Sequence, residues 1–146
     1  MAATITIRMQ EILGGKAALG RVVSSPSDLA EIVRAGLPHS SLEAVMHLLN
    51  LPAEMLSTSL ALSRRTLSRR KKQARLSAGE SDRLIRLARV AASAVDVFGS
   101  PERASKWLQR PNRALGSLPP LSLMDTDPGA RLVEQILGRI EHGVFS

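Results

Sequence analysis

The residues best suited to chemistry in this chain are cations. Residues 52–72 read PAEMLSTSLALSRRTLSRRKK. Arg64, Arg65, Ser68 and Arg69 fall on the first two turns of a short predicted helix, and Lys71, Lys72 and Arg75 fall at or beyond its end. Arginine presents a planar fork of donors that engages guanine O6 and N7 together, whereas lysine neutralises phosphate as a point charge. The pattern therefore points to duplex DNA, with Arg64, Arg65, Ser68 and Arg69 reaching base edges and Lys71, Lys72 and Arg75 on the phosphates. The plainer alternative is a solvated basic helix whose Arg70–Lys72 end complements the helix dipole. The leucine spacing, the caps and the concentration of charge favour DNA.

Other chemistry is poorly supplied. The chain has no Cys, which excludes a disulfide framework, a Cys-based zinc site, an iron–sulfur cluster and thiol catalysis. His39, His47 and His142 form no pair at ligand spacing, so no metal site is expected. Asp125 and Asp127 flank Thr126, but Asp127 before Pro128 is accounted for as a helix N-cap. No phosphate-binding glycine loop and no nucleophile–histidine pairing is evident. The expectation is a non-enzyme without cofactor.

The elements that must position the cations read as helices. Leu29, Ile32 and Val33 form a stripe begun at Ser27/Asp28 and stopped by Gly36 and Pro38. Leu42, Val45, Met46 and Leu49 form the next, opened by a predicted capping box, Ser40-x-x-Glu43. Pro52 opens a short helix with Met55, Leu56 and Leu60; Ala61-Leu62-Ser63 turns the chain, and Ser63 caps the basic helix to about Lys72. Two short helices across a tight turn are a helix-turn-helix, with Leu62 and Leu67 seating the second helix from beneath. Ala61 stands where such turns often carry Gly. Ser77-x-x-Glu80 opens a long helix with Leu84, Leu87, Ala88, Ala91, Val95 and Phe98, ended by Gly99. Ser100-Pro101 starts another with Ala104, Trp107 and Leu108, in which Trp107 is expected to pack as satellite core rather than as an interface anchor. After a Pro/Gly-rich stretch in which Asn112 caps a short turn, the last helix buries Leu132, Val133, Ile136, Leu137 and Ile140. Residues 1–25 read as a partly ordered N-terminal arm with at most one weak helix, in which Thr4-Ile5-Thr6-Ile7 alternates too briefly for a sheet. The fold class is all-α, with about seven helices.

The charge map divides the chain. Residues 1–63 carry four basic and five acidic groups; residues 64–89 carry ten and two; residues 90–146 carry six of each. The whole excess of +7 thus lies in one short window, as expected for a polyanion-binding face. Aromatics are 2% of the residues, which gives little support to a base-stacking single-strand platform. Apolar runs are too short to span a bilayer and the start lacks a signal-peptide core, so a cytoplasmic protein is expected. The neutral carboxyl-terminal third, holding Phe98, Trp107 and Phe145, suggests contact with protein rather than DNA.

The run ALSRRTLSRRKKQARLSAGESDRLIRLARV, the segment Val97–Trp107, and RPNRALGSLPPLSLMDTDPGARLVEQILGRIEHGVF together resemble the Xre/MbcA/ParS-like antitoxins of RES–Xre type II toxin–antitoxin pairs. Ile32–Pro38 is of the same type, and the resemblance covers about residues 28–146. It implies an Xre-like helix-turn-helix region (residues 26–85) that binds operator DNA at its own promoter. It also implies a small helical toxin-binding region (residues 86–146, the border inside a long helix) that covers the active-site entrance of a RES-domain, NAD-degrading toxin. Carried onto this chain, the DNA contacts are Arg64, Arg65, Ser68, Arg69, Lys71 and Lys72, and the toxin contacts are Asn112, Arg113, Arg131, Arg139, His142 and Phe145. A homodimer or a higher hetero-oligomer with toxin is expected, since one helix-turn-helix has a small footprint. The competing readings are a free-standing dimeric repressor and an adaptor whose basic helix binds an acidic protein.

Overall fold

A computed structural model describes residues 2–143, with side chains described from Ile5 onward. Nine α-helices follow one another among these residues: α1 (Ala2–Ile12), α2 (Gly15–Leu19), α3 (Pro26–Ala35), α4 (His39–Leu48), α5 (Ala53–Ser59), α6 (Arg64–Gln73), α7 (Ala78–Phe98), α8 (Pro101–Gln109) and α9 (Asp127–Glu141). Two 3₁₀ turns, Arg113–Leu115 and Pro120–Leu123, link the last two helices. The described residues contain no strand, only isolated bridges, so the molecule is all-α. No helix among them is long and apolar enough to cross a membrane.

The organising element is α7. Leu84, Leu87, Ala88, Val90, Ala91, Ala92, Ala94 and Val95 are all buried along it. The alanines let neighbouring backbones approach closely, and α1, α3, α8 and α9 all pack on this one rod. Each fully buried leucine contributes about 1.5–3 kcal/mol relative to exposure. The expected border between residues 85 and 86 therefore falls within an unbroken helix.

Caps fix where the helices start. Ser63, Ser77 and Ser100 cap α6, α7 and α8 as the sequence suggests, and Ser77 with Glu80 completes a capping box. Three starts differ from expectation. The cap of α3 is Ser25, whose box partner is Asp28. The α4 helix begins at His39 after Pro38 without a side-chain cap, so Ser40-x-x-Glu43 makes no box, and Glu43 faces His39 Nδ1 at 2.9 Å instead. Thr126, not Asp127, caps α9, because its hydroxyl reaches the Gly129 amide.

The N-terminal segment read as an arm is folded. Residues Thr4–Ile7 lie inside α1, and Met9, Ile12 and Leu13 are buried in the core. Its alternation is too short to outweigh packing against α7. Leu132, placed in the buried stripe of α9 from sequence, is 50% exposed, while Val133 and Leu137 carry the burial. Trp107 packs against the core and lies on Phe98 with ring centroids 5.4 Å apart.

Candidate functional site

Helices α5 and α6 meet across a four-residue turn, Leu60–Ser63. Leu56 and Leu60 are fully buried and Leu62 nearly so, which holds both helices to the core. The chain reverses at Ala61, whose φ of 53° lies in the left-handed region. The Ser57 hydroxyl donates to the Leu62 carbonyl across the turn, and Arg83 Nε on α7 donates to the Leu60 carbonyl at 2.7 Å. The turn is thus fixed by leucines below and by an arginine from the central rod.

The α6 helix is laid on its apolar edge, with Leu67 partly buried against the core. Arg70 also turns inward: its Nε donates to Glu80 at 2.7 Å and its Nη1 to Gln73. Glu80 is only 5% exposed. Burial works to raise its carboxyl pKa, but the Arg70 and Ser77 hydrogen bonds outweigh it and hold the group below its ordinary value. Arg70 is therefore a strut between α6 and α7. Arg75, expected at a phosphate, donates to the Gly36 carbonyl at 2.6 Å. It stands in a backbone tie in which the His39 amide donates to the Ala74 carbonyl and the Leu76 amide to the Leu37 carbonyl. Sequence gave no sign of this tie, because it joins residues nearly forty apart.

The six DNA-contact candidates, Arg64, Arg65, Ser68, Arg69, Lys71 and Lys72, are all exposed on α6. Arg65, Ser68, Arg69 and Lys72 follow helical one-face spacing and line one shallow groove. Arg64 opens the helix, where its Nη2 lies 3.2 Å from Glu54 on α5. No acidic residue occupies the first turn of α6. The result is a row of cations at the open side of a helix-turn-helix, the side from which such a helix enters a major groove.

The second candidate set falls on two elements. Arg131 and Arg139 on α9 and His142 at its C-cap are exposed on one side, with Gln135 and Leu132 between them. Arg131 and Arg139 are separated by about 12 Å of helix. Arg131 Nε is paired with Asp127 at 2.7 Å; this bond, with the charges of Arg86 and Arg89 beyond, lowers the Asp127 pKa, and the same bond with the carboxylates of Asp127 and Glu134 raises that of Arg131. Arg139 and His142 have no side-chain partner among the described residues. The α9 helix is held to α7 by Arg89, which gives two hydrogen bonds to Glu134 at 3.0 and 2.8 Å. Asn112 and Arg113 stand apart on the 112–118 turn, where Asn112 Oδ1 accepts from the Ala114 amide. Phe145 lies outside the described residues. Leu118, 49% exposed on that turn, and Leu132 are apolar surface that the sequence reading did not single out as contacts.

Two family models match successive stretches of the chain. Residues 28–89 match the antitoxin Xre-like helix-turn-helix domain, and residues 93–143 match the antitoxin Xre/MbcA/ParS C-terminal toxin-binding domain. An Antitoxin Xre of Photorhabdus laumondii is 35% identical over 134 residues, covering 88% of this chain and 90% of the relative. An Antitoxin Xre of Yersinia enterocolitica is 34% identical, covering 88% of each. A Prs ADP-ribosylating antitoxin of a Sphingobium species is 28% identical, covering 84% of each.

Proposed function

The chain belongs to the Xre antitoxin family, and from that premise we propose that it neutralises a RES-domain toxin and represses its own operon. Antitoxin character, a helix-turn-helix domain and a toxin-binding domain come with the family. The partner's class, the DNA activity and the surfaces used are our reading.

The observation that carries it is the presence of two separate exposed faces, one on α6 and one on α9. A cationic face on α6 lies in the segment matched to the helix-turn-helix domain, and the Arg131–His142 face of α9 lies in the segment matched to the toxin-binding domain. Arg64 at the helix start and Arg65, Ser68, Arg69 and Lys72 along it then face the major groove, with Lys71 at its edge. The α9 face and the 112–118 turn cover the entrance to the toxin's active site and exclude NAD⁺. The name of the Sphingobium relative carries ADP-ribosylation, a chemistry that consumes the same dinucleotide, which supports a toxin of that class. Two copies on a palindromic site, arranged by the toxin or by self-association, give the footprint that one helix lacks.

The test is co-expression with a RES-domain protein, whose gene is expected beside the chain's own. NAD⁺ loss from cells or lysate is expected to stop when the chain is present, and the two proteins to co-purify. Unabated NAD⁺ loss with both proteins soluble overturns the toxin assignment. An unretarded promoter fragment at low salt overturns the DNA assignment.

A further inference from the structure

Of the six exposed candidates on α6, five have no side-chain partner among the described residues. Arg64 is the exception, held by Glu54 Oε1 at 3.2 Å. Its position makes the exception informative. A cation at the first residue of a helix opposes the macrodipole, and α6 has no acidic residue in its first turn to compensate. What holds Arg64 comes from the neighbouring helix, ten residues earlier.

The pair does little for stability. Both side chains are mostly exposed, 69% for Arg64 and 75% for Glu54, and such pairs contribute little. Glu54 in the first turn of α5 complements that helix's dipole, yet this does not require it to reach Arg64. A carboxylate beside a DNA-facing row also repels phosphate, so its presence lowers non-specific affinity. Orientation is what it adds. The carboxylate engages one Nη, and the guanidinium's other donors stay free among the described residues. Phosphate contacts tolerate a mobile arginine; bidentate reading of a base edge requires a set plane.

We infer that Glu54 is a specificity-determining residue, which fixes the Arg64 guanidinium in the plane in which it reads a guanine. The inference rests on the DNA-binding reading above. Arg64 is then the base-reading arginine of the row, and Arg65, Arg69 and Lys72 supply mainly affinity.

The experiment compares full-length wild type, E54A, R64A and E54A/R64A on two duplexes at one salt concentration. One duplex is the promoter region upstream of the chain's own reading frame, and the other is its scrambled equivalent. In E54A the ratio of promoter to scrambled affinity is expected to fall about tenfold, while scrambled binding holds or tightens. Adding E54A to R64A is expected to change the ratio no further. A ratio unchanged in E54A, or an equal loss on the R64A background, overturns the inference and leaves DNA binding standing. Wild type that binds both duplexes equally overturns the inference alone; wild type that binds neither overturns the DNA-binding reading with it. Thermal melts of the four proteins check that the fold is shared.

Discussion

Ala61 bears a conformation that suits glycine better. At φ 53° its Cβ crowds the backbone, and the leucines on either side prevent the turn from relaxing. Ala61→Gly is expected to stabilise the protein by about 0.5–1 kcal/mol, the relief of strain being partly offset by the looser unfolded chain. A thermal melt raised by a few degrees checks this; an unchanged or lowered midpoint refutes it. The unusual alanine was visible in the sequence. The roles of its cationic neighbours were not, because charge runs do not say which arginine is a strut. Arg70 and Arg75 look like Arg69 in sequence, yet the first is bound to Glu80 and the second to the Gly36 carbonyl. Arg65→Ala and Arg69→Ala are therefore expected to weaken DNA binding with little effect on melting. For a residue that neutralises a phosphate, the slope of log affinity against log salt is expected to become shallower by about 0.9. Arg70→Ala is expected to lower the melting temperature instead, and a lost phosphate slope without destabilisation would reverse that assignment.

Helix starts show how far local chemistry carries. Serines followed three residues later by Glu were read correctly at α7, but the same pattern at Ser40 and Glu43 failed. There Pro38 and the backbone tie to residues 74–76 fix the start two residues earlier, and no local signal reveals a partner so distant. At α7 the box is reinforced by Arg70, so Glu80 joins the helix-turn-helix to the central rod. Its carboxyl pKa lies below the unfolded value, so its ionised form favours the fold. That contribution is complete above the unfolded pKa and is lost as pH falls through the folded one. Glu80→Gln is expected to cost about 1–2 kcal/mol near neutrality. The difference from wild type is expected to shrink as acid is added below about pH 4.3, as read by urea unfolding across pH. A pH-independent difference would mean that packing, not charge, fixes the α7 start. At the other end, a Cβ on Gly129 would collide with the Leu123 carbonyl oxygen, so only glycine lets α9 begin so close to the preceding 3₁₀ turn.

At the scale of the whole molecule, the +7 charge and the scarcity of aromatics describe no average surface. The basic window builds one face, and the neutral third packs Phe98 and Trp107 inward while presenting polar and aliphatic groups outward. The all-α class, the helix-turn-helix and the order of the two domains were legible because they depend on helical period, caps and charge blocks. The N-terminal helices were not, since their weak local pattern is overridden by burial of Met9, Ile12 and Leu13 against the rod. The same rod has a functional consequence. It holds the turn before α6 through Arg83 near one end and α9 through Arg89 farther along, so both faces are anchored to a scaffold that surface substitutions leave intact. The two proposed activities are therefore expected to separate. R65E/R69E is expected to abolish retention of the promoter fragment while still protecting NAD⁺ in cells expressing the toxin. L132E/R139E, on the exposed side of α9, is expected to do the reverse, retarding DNA normally while losing co-purification with the toxin. Loss of toxin binding in R65E/R69E with an unchanged melt would mean that the basic face also serves the toxin, and the division of labour along α7 would be wrong.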